Sequence, residues 1–266
     1  MAARGGSTRR RSRSGCSGVT DQPIITVISA VWHRQRDKLE LLRGHMANLV
    51  AQNVPIRPIY VFDAGDPAPE WLTGLKIVAS EELTIYQAWN LALAVTQTPF
   101  VANLNLDDRF GPDALGRMAL ALIEDPEAFL VGGDWIVCHT QAETDAVRPT
   151  RDARTVPLVS LWPPGTETGR RLGSGSDTSQ GSMGPACLWR MAAHLQAPRY
   201  PYRYADGTLI RVIADALWWD LIRNHMHKRL LRLPLVIGHY RTWPGEQAEF
   251  RYSGADEHAN QQVSLL

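Results

Sequence analysis

Phe100-Val101-Ala102-Asn103-Leu104-Asn105-Leu106-Asp107-Asp108 is an apolar run that ends in two adjacent carboxylates. Such a run has the length of a buried strand, and carboxylates at a strand's carboxyl end mark where an open α/β sheet binds ligands. Upstream, Ile24 to Ala30 is a second β-branched run, followed by Leu39, Leu42, Met46, Leu49 and Val50 at helical spacing and a stop at Asn53 to Pro55. Ile59-Tyr60-Val61-Phe62-Asp63 then forms another strand ending in a carboxylate, before the turn residues Ala64-Gly65-Asp66-Pro67. This β-α-β order continues with a short strand at Lys76 to Val78 and a helix from about Thr84 to Val95. Past the carboxylates, Pro112 opens a helix that buries Leu115, Met118, Ala119 and Leu122, and Phe129 to Gly133 reads as a further short strand. Alternation of this kind predicts an α/β fold with a mainly parallel sheet covered by helices.

The second half is less regular. Pro185 to His194 reads as helical, about Leu209 to Met226 as a helix, and Arg229 to Tyr240 as a closing strand. Gly165 to Gly184 is a Gly/Ser/Thr-rich stretch, either an ordering lid or a disordered insertion. Residues 1–21 form a basic, disordered extension, 22–253 one domain with a nucleotide-binding part to about 134 and an acceptor-binding part from about 135, and 254–266 a polar tail.

The formal charge of the 266 residues is +1, but five of the 28 basic residues, Arg4, Arg9, Arg10, Arg11 and Arg13, precede Asp21. The remainder is mildly acidic, which argues against nucleic acid as partner, since phosphate neutralisation dominates that affinity. No run of 18 apolar residues offers a transmembrane helix, and the basic head lacks the apolar stretch of a signal peptide. Cys16, Cys138 and Cys187 are odd in number and widely spaced. A reduced, cytoplasmic setting is expected, with contact between the basic head and an anionic membrane surface compatible with it.

Asp107 and Asp108 repel each other where solvation is poor, and a hard divalent cation, Mg²⁺ or Mn²⁺, resolves that cost. Capping of the helix entered at Pro112 is the alternative. Asp63 is placed either to hydrogen-bond a base or ribose or to close an Asx-turn. Asp215, near the apolar stripe of its helix, suits general-base work or an ion pair with Arg211. Trp218 and Trp219 fit either core or a sugar platform. His239, at a strand end, is a candidate metal or phosphate contact.

Together these residues resemble a family 2 glycosyltransferase of the GT-A fold, from about Ile24 to Tyr240. Three blocks carry the likeness: Ile24 to Ser29 with Val61-Phe62-Asp63-Ala64-Gly65-Asp66; Tyr86-Gln87-Ala88-Trp89-Asn90 through Asn105-Leu106-Asp107-Asp108-Arg109; and Gly184-Pro185-Ala186-Cys187-Leu188-Trp189-Arg190 with Ala214-Asp215-Ala216-Leu217-Trp218-Trp219. The resemblance implies sugar transfer from a nucleotide diphosphate sugar to an acceptor hydroxyl with inversion. It implies Asp215 as the base, Asp63, Asn90, Asp107 and Arg109 as donor contacts, and Trp189, Trp218 and Trp219 as acceptor contacts. Asp107, Asp108 and His239 would be the metal ligands. Asp63-Ala64 and Asn105 depart from the family's usual acidic pairs, and Ala214 and Leu217 from its acceptor segment. A nucleotidyltransferase on a similar sheet, or a silent sugar-nucleotide-binding scaffold, is the alternative.

Overall fold

The computed structural model describes residues 22–156, 161–162, 185–212 and 214–243. The expected basic head, the 165–184 stretch and the polar tail lie outside the described residues. Strand β1 (Ile25–Val31) is followed by α1 (Lys38–Val50), β2 (Ile56–Phe62), β3 (Leu75–Val78), α2 (Ile85–Ala94) and β4 (Phe100–Asn103). Then come β5 (Arg109–Phe110), α3 (Ala114–Glu124), β6 (Ala128–Cys138), α4 (Gln141–Asp145), β7 (Arg151–Asp152), β8 (Leu161–Trp162), β9 (Leu188–Arg190), α5 (Ala214–Asp220) and β10 (Arg229–Arg241).

One sheet runs β3-β2-β1-β4-β9-β6-β10-β5, with β7 beside β10 and β8 beside β6. Its first four strands are parallel, with Ile28 opposite Ile59 and Asn103. Parallel strands are buried on both faces, and β1 and β4 are apolar accordingly. Successive side chains point to opposite faces, so Ile28 belongs to the apolar cluster that holds Tyr86, Trp89 and Leu93 of α2, while Val27 belongs to the one that holds Leu115, Met118 and Leu122 of α3.

Helix α2 starts where its sequence provides a capping box: Thr84 Oγ accepts from the Gln87 amide at 3.2 Å, and Gln87 Oε1 accepts from the Thr84 amide at 2.9 Å. Helix α1 buries Leu41, Leu42, His45, Asn48 and Leu49, and leaves Leu39 and Val50 exposed. The stripe expected from apolar spacing is therefore rotated. His45 and Asn48 go inside because Ser29 Oγ and Tyr60 Oη meet the imidazole, and the Phe110 backbone meets the amide.

Two expected helices differ. The segment after Pro185 is β9, paired antiparallel to both β4 and β6, followed by a 3₁₀ turn at Met191–Leu195. Between two strands, the backbone of Leu188 and Trp189 gains ladder partners on both sides, which outweighs local helical preference. The helix expected from about Leu209 is shortened to α5 and a π-helical turn at Leu221–His225. Before it, the Ile210 amide bonds the Tyr202 carbonyl at 3.0 Å and Arg203 bridges to Leu209, so that stretch folds back as a hairpin.

Candidate functional site

The carboxyl ends of β1, β2 and β4 open into a cleft of about 630 Å³. Asp63 from the end of β2, Asn105 and Asp107 from the loop after β4, and Trp32 and Arg34 from the loop after β1 line it. Arg211, just before α5, contributes from the second half.

Asp63 is buried, and its carboxylate is already engaged. It accepts from the His33 amide at 2.7 Å, the His33 Nδ1 at 3.1 Å and the Leu83 amide at 3.3 Å. The turn after it is closed instead by the Asp66 amide on the Asp63 carbonyl, with Ala64 and Gly65 at positive φ. Asp63 thus ties the loops after β1 and before α2 to the cleft floor, through His33 on one side and Leu83 on the other.

Asp107 and Asp108 diverge. Asp107 lines the cleft, and its Oδ2 accepts from the Trp243 indole at 2.6 Å. The Arg241 guanidinium lies 3.7 Å from the Trp243 ring centroid, and that of Arg36 4.7 Å from it. Asp108 is buried, with Oδ1 accepting from the Arg241 amide at 3.0 Å. Among the described residues, its Oδ2 has no hydrogen-bond partner. Burial raises the Asp107 carboxyl above its usual range; burial, then the charge of Asp107, pushes Asp108 well above. The guanidiniums of Arg109 and Arg241 act against that rise at Asp107, and that of Arg109 at Asp108. Neither caps α3, whose N-cap residue is Asp113, and Asp113 spends its carboxylate on Thr150.

These features fit a divalent cation of the Mg²⁺ or Mn²⁺ type. Asp107 presents a carboxylate to the cleft with Asn105 beside it, and the buried carboxyl of Asp108 stands behind them. Among the described residues no group of three His, Cys, Asp or Glu side chains gathers; an Mg²⁺-type ion is commonly held by one or two carboxylates together with phosphate oxygens. His239 is not gathered with the two aspartates. It pairs with Arg109 across β10 and β5, and its Nδ1 lies 2.9 Å from the Glu143 carbonyl. Burial lowers its pKa, which keeps the ring neutral against that carbonyl.

Arg109 lies beneath the loop and not in the cleft. It is 2% exposed, and its Nη1 donates to the Leu106 and Asp108 carbonyls at 2.7 Å each, its Nε to Asp145 at 2.8 Å. This guanidinium fixes the turn that presents Asp107. Asn90, also expected at the donor, instead clamps Tyr200: Nδ2 donates to the Tyr200 carbonyl at 2.9 Å and Oδ1 accepts its amide at 3.0 Å.

Asp215 sits in the first turn of α5, where Tyr86 Oη lies 3.3 Å from Oδ1. Tyr86 also donates to the Val212 carbonyl, so α2, whose first turn forms a cleft wall, carries the start of α5 with it. The expected acceptor tryptophans lie in the core. Trp189 and Trp218 are 1% and 0% exposed, and their indole N–H groups are satisfied internally, by His194 and by the Pro198 carbonyl, at 2.9 Å each. His194 stacks on Trp218 at 5.0 Å, and Trp219 is buried beside them. Large aromatic area with internal polar partners is better used in packing than on a surface.

Sequence reasoning gave no place at the cleft to Trp32, Arg34 or Trp243, and weighed Arg211 only as an ion partner of Asp215. Only their places gave a signal: two directly after β1, one directly before the Asp215 helix, one just past the closing strand.

No family model matches the sequence, and no curated protein matches it. Solved structures do resemble the fold. TarS of S. aureus, residues 1–349 in complex with UDP, is 14% identical, with a TM-score of 0.53 over 83% of this chain and 61% of that one. The same protein in complex with UDP-GlcNAc gives 12% and 0.51 over 84% and 59%. The mannosyltransferase PcManGT of Pyrobaculum calidifontis, in complex with GDP-Man and Mn²⁺, gives 15% and 0.52 over 83% and 57%. The chain spans about six tenths of the length of these neighbours. The strand order, the cleft at the strand ends and these neighbours together give the chain the fold of the GT-A glycosyltransferases.

Proposed function

We propose that the protein is a metal-dependent, inverting glycosyltransferase of family 2 type, moving a sugar from a nucleotide diphosphate sugar to an acceptor hydroxyl. The observation that carries this is Asp107, presented into the cleft by the Arg109-braced turn in a sheet whose fold neighbours were solved with UDP, UDP-GlcNAc and GDP-Man.

Asp107 would hold Mg²⁺ or Mn²⁺ with Asn105 beside it, while Asp108, turned inward, adds negative charge from behind. The cation, when bound, would neutralise charge on the departing diphosphate. The Asp63–His33 pair and Trp32 would receive the nucleoside. Arg34 and Arg211 would meet phosphate oxygens from either side of the cleft. Asp215, reached by Tyr86 Oη, would take the proton from the acceptor hydroxyl. The division into a nucleotide-binding part to about residue 134 and an acceptor-binding part from about 135 belongs to the same proposal. So does a cytoplasmic setting with membrane-surface contact; the buried thiols Cys138 and Cys187, not joined in a disulfide, are compatible with it, and no helix among the described residues is long and apolar enough to cross a membrane.

Calorimetry with UDP and GDP, with and without Mn²⁺, tests the reading. Diphosphate binding that requires Mn²⁺ and is lost in Asp107→Asn supports it; absence of diphosphate binding refutes it. Binding without turnover in any acceptor screen, unaltered by Asp215→Asn, would favour the silent scaffold.

A further inference from the structure

A second cavity, about 670 Å³, lies against the outer face of α2. It meets the first cleft at Leu83, which lines both. One wall is α2, through Gln87, Asn90 and Leu91; the other is the segment Pro198 to Arg203. That segment is rigidly held. Asn90 makes its two bonds to the Tyr200 backbone, and Tyr200 is buried in the aromatic core with Trp89 and Trp218. The hairpin that follows is closed by the Arg203–Leu209 bridge and turns at Gly207, whose φ of +88° a side chain would resist.

Because Tyr200 points inward, Arg199, Tyr202 and Arg203 are left outward, all exposed. Arg203 lies over the Tyr202 ring, 5.9 Å from its centroid, and is steadied by donating to the Gly207 carbonyl at 2.7 Å. None of the residues lining this groove is acidic. The floor is apolar, from Leu83, Leu91, Pro198 and Pro201. A groove of this make-up offers guanidiniums to fixed anionic groups, and an aromatic and aliphatic surface to the carbon skeleton between them.

We infer that this groove is the binding site for an acceptor chain that carries repeated anionic groups, a glycan or polyol bearing carboxylates or phosphodiesters. The inference rests on the transferase reading, since the groove would lead the chain's end past Leu83 into the first cleft. Phosphodiester and carboxylate are alternative sources of the same chemistry, and the test separates them.

The full-length protein is titrated calorimetrically with trigalacturonate, with a tri(glycerol phosphate) and with neutral maltotriose. At least one anionic trimer binds with an affinity that falls as salt is raised, and the tighter of the two names the source. Arg199→Gln/Arg203→Gln weakens it by about tenfold or more, as expected for two charge-assisted contacts. Tyr202→Ala weakens it several-fold, and both variants still unfold cooperatively close to the wild-type temperature, because the replaced groups are exposed and the Arg203–Gly207 bond lies at the surface. Equal binding of maltotriose, unchanged affinity in the double arginine variant, or no binding of either anion overturns the inference. A parallel titration of wild-type protein with UDP and GDP plus Mn²⁺ separates the failures. Diphosphate bound without the anionic trimers sinks the groove alone. Arginine-dependent trimer binding without diphosphate sinks the transferase reading and leaves an anion site.

Discussion

Replacing Arg109 by lysine tests whether this residue acts on a ligand or on the loop that presents Asp107. In the structure the guanidinium makes three hydrogen bonds, to the Leu106 and Asp108 carbonyls and to Asp145, and is 2% exposed. An ammonium on a flexible stem keeps the charge but reaches one of these three in good geometry. Two charge-assisted bonds are then lost, at about 1.5 kcal/mol each at the lower end of the usual range. The Asp145 contact counts for less, since that carboxylate is 47% exposed and screened. Arg109→Lys is therefore expected to lose about 3 kcal/mol of unfolding free energy, read from urea titrations by tryptophan fluorescence with an unchanged slope. Diphosphate affinity should follow the stability of the loop and recover when excess Mn²⁺ and nucleotide stabilise the bound form. Unfolding within about 0.5 kcal/mol of wild type, together with a tenfold or greater loss of diphosphate affinity, would place Arg109 on the ligand and refute this account.

Trp218→Phe removes the indole N–H bond to the Pro198 carbonyl and part of a fully buried ring, and should cost about 1–2 kcal/mol in thermal or urea unfolding; a loss of acceptor binding at unchanged stability would return this residue to the surface role. Asp134→Asn removes the negative charge from the buried pair in which Arg232 Nη2 meets Asp134 at 2.5 Å, and should cost about 3–5 kcal/mol, whereas Asp134→Leu/Arg232→Met recovers most of it. Burial holds His45 neutral, lowering its pKa to about 3 from 6.5. The unfolded chain therefore takes up a proton at His45 before the folded one does, and the stabilisation present above pH 6.5 is lost as pH falls toward 3. His194, lowered to about 4, acts in the same direction, while the raised Asp107 and Asp108 carboxyls oppose it. The comparison that isolates His45 is His45→Gln against wild type: the variant's stability should vary less across that window, and parallel curves would refute the assignment.

Local pattern carried the first half of the chain far. Strands β1, β2 and β4, helix α3 with its buried Leu115, Met118, Ala119 and Leu122, and the placing of Asp63 and Asp107 at strand ends were all readable, because period and turn chemistry are encoded within a few residues. The second half was less legible. Leu188 to Arg190 became a strand because two neighbours, distant in sequence, supplied ladder partners, and no local signal reports that. Helix α1 rotated its buried face because Ser29, Tyr60 and Phe110 were waiting for His45 and Asn48.

The sequence by itself determined an α/β sheet with carboxylates at its strand ends, since burial period and strand length are local properties. Only the tertiary structure decided what each chemically suggestive residue does. Asp107 and Asp108 are neighbours in the chain, yet the turn over Arg109 sends one into the cleft and the other inward. The family resemblance makes Trp189 and Trp218 acceptor contacts until internal acceptors claim their N–H groups, and Asn90 a donor contact until the Tyr200 backbone claims its amide. A polar group is assigned by the partner that satisfies it once water is excluded, and that partner comes from wherever the fold brings the chain back.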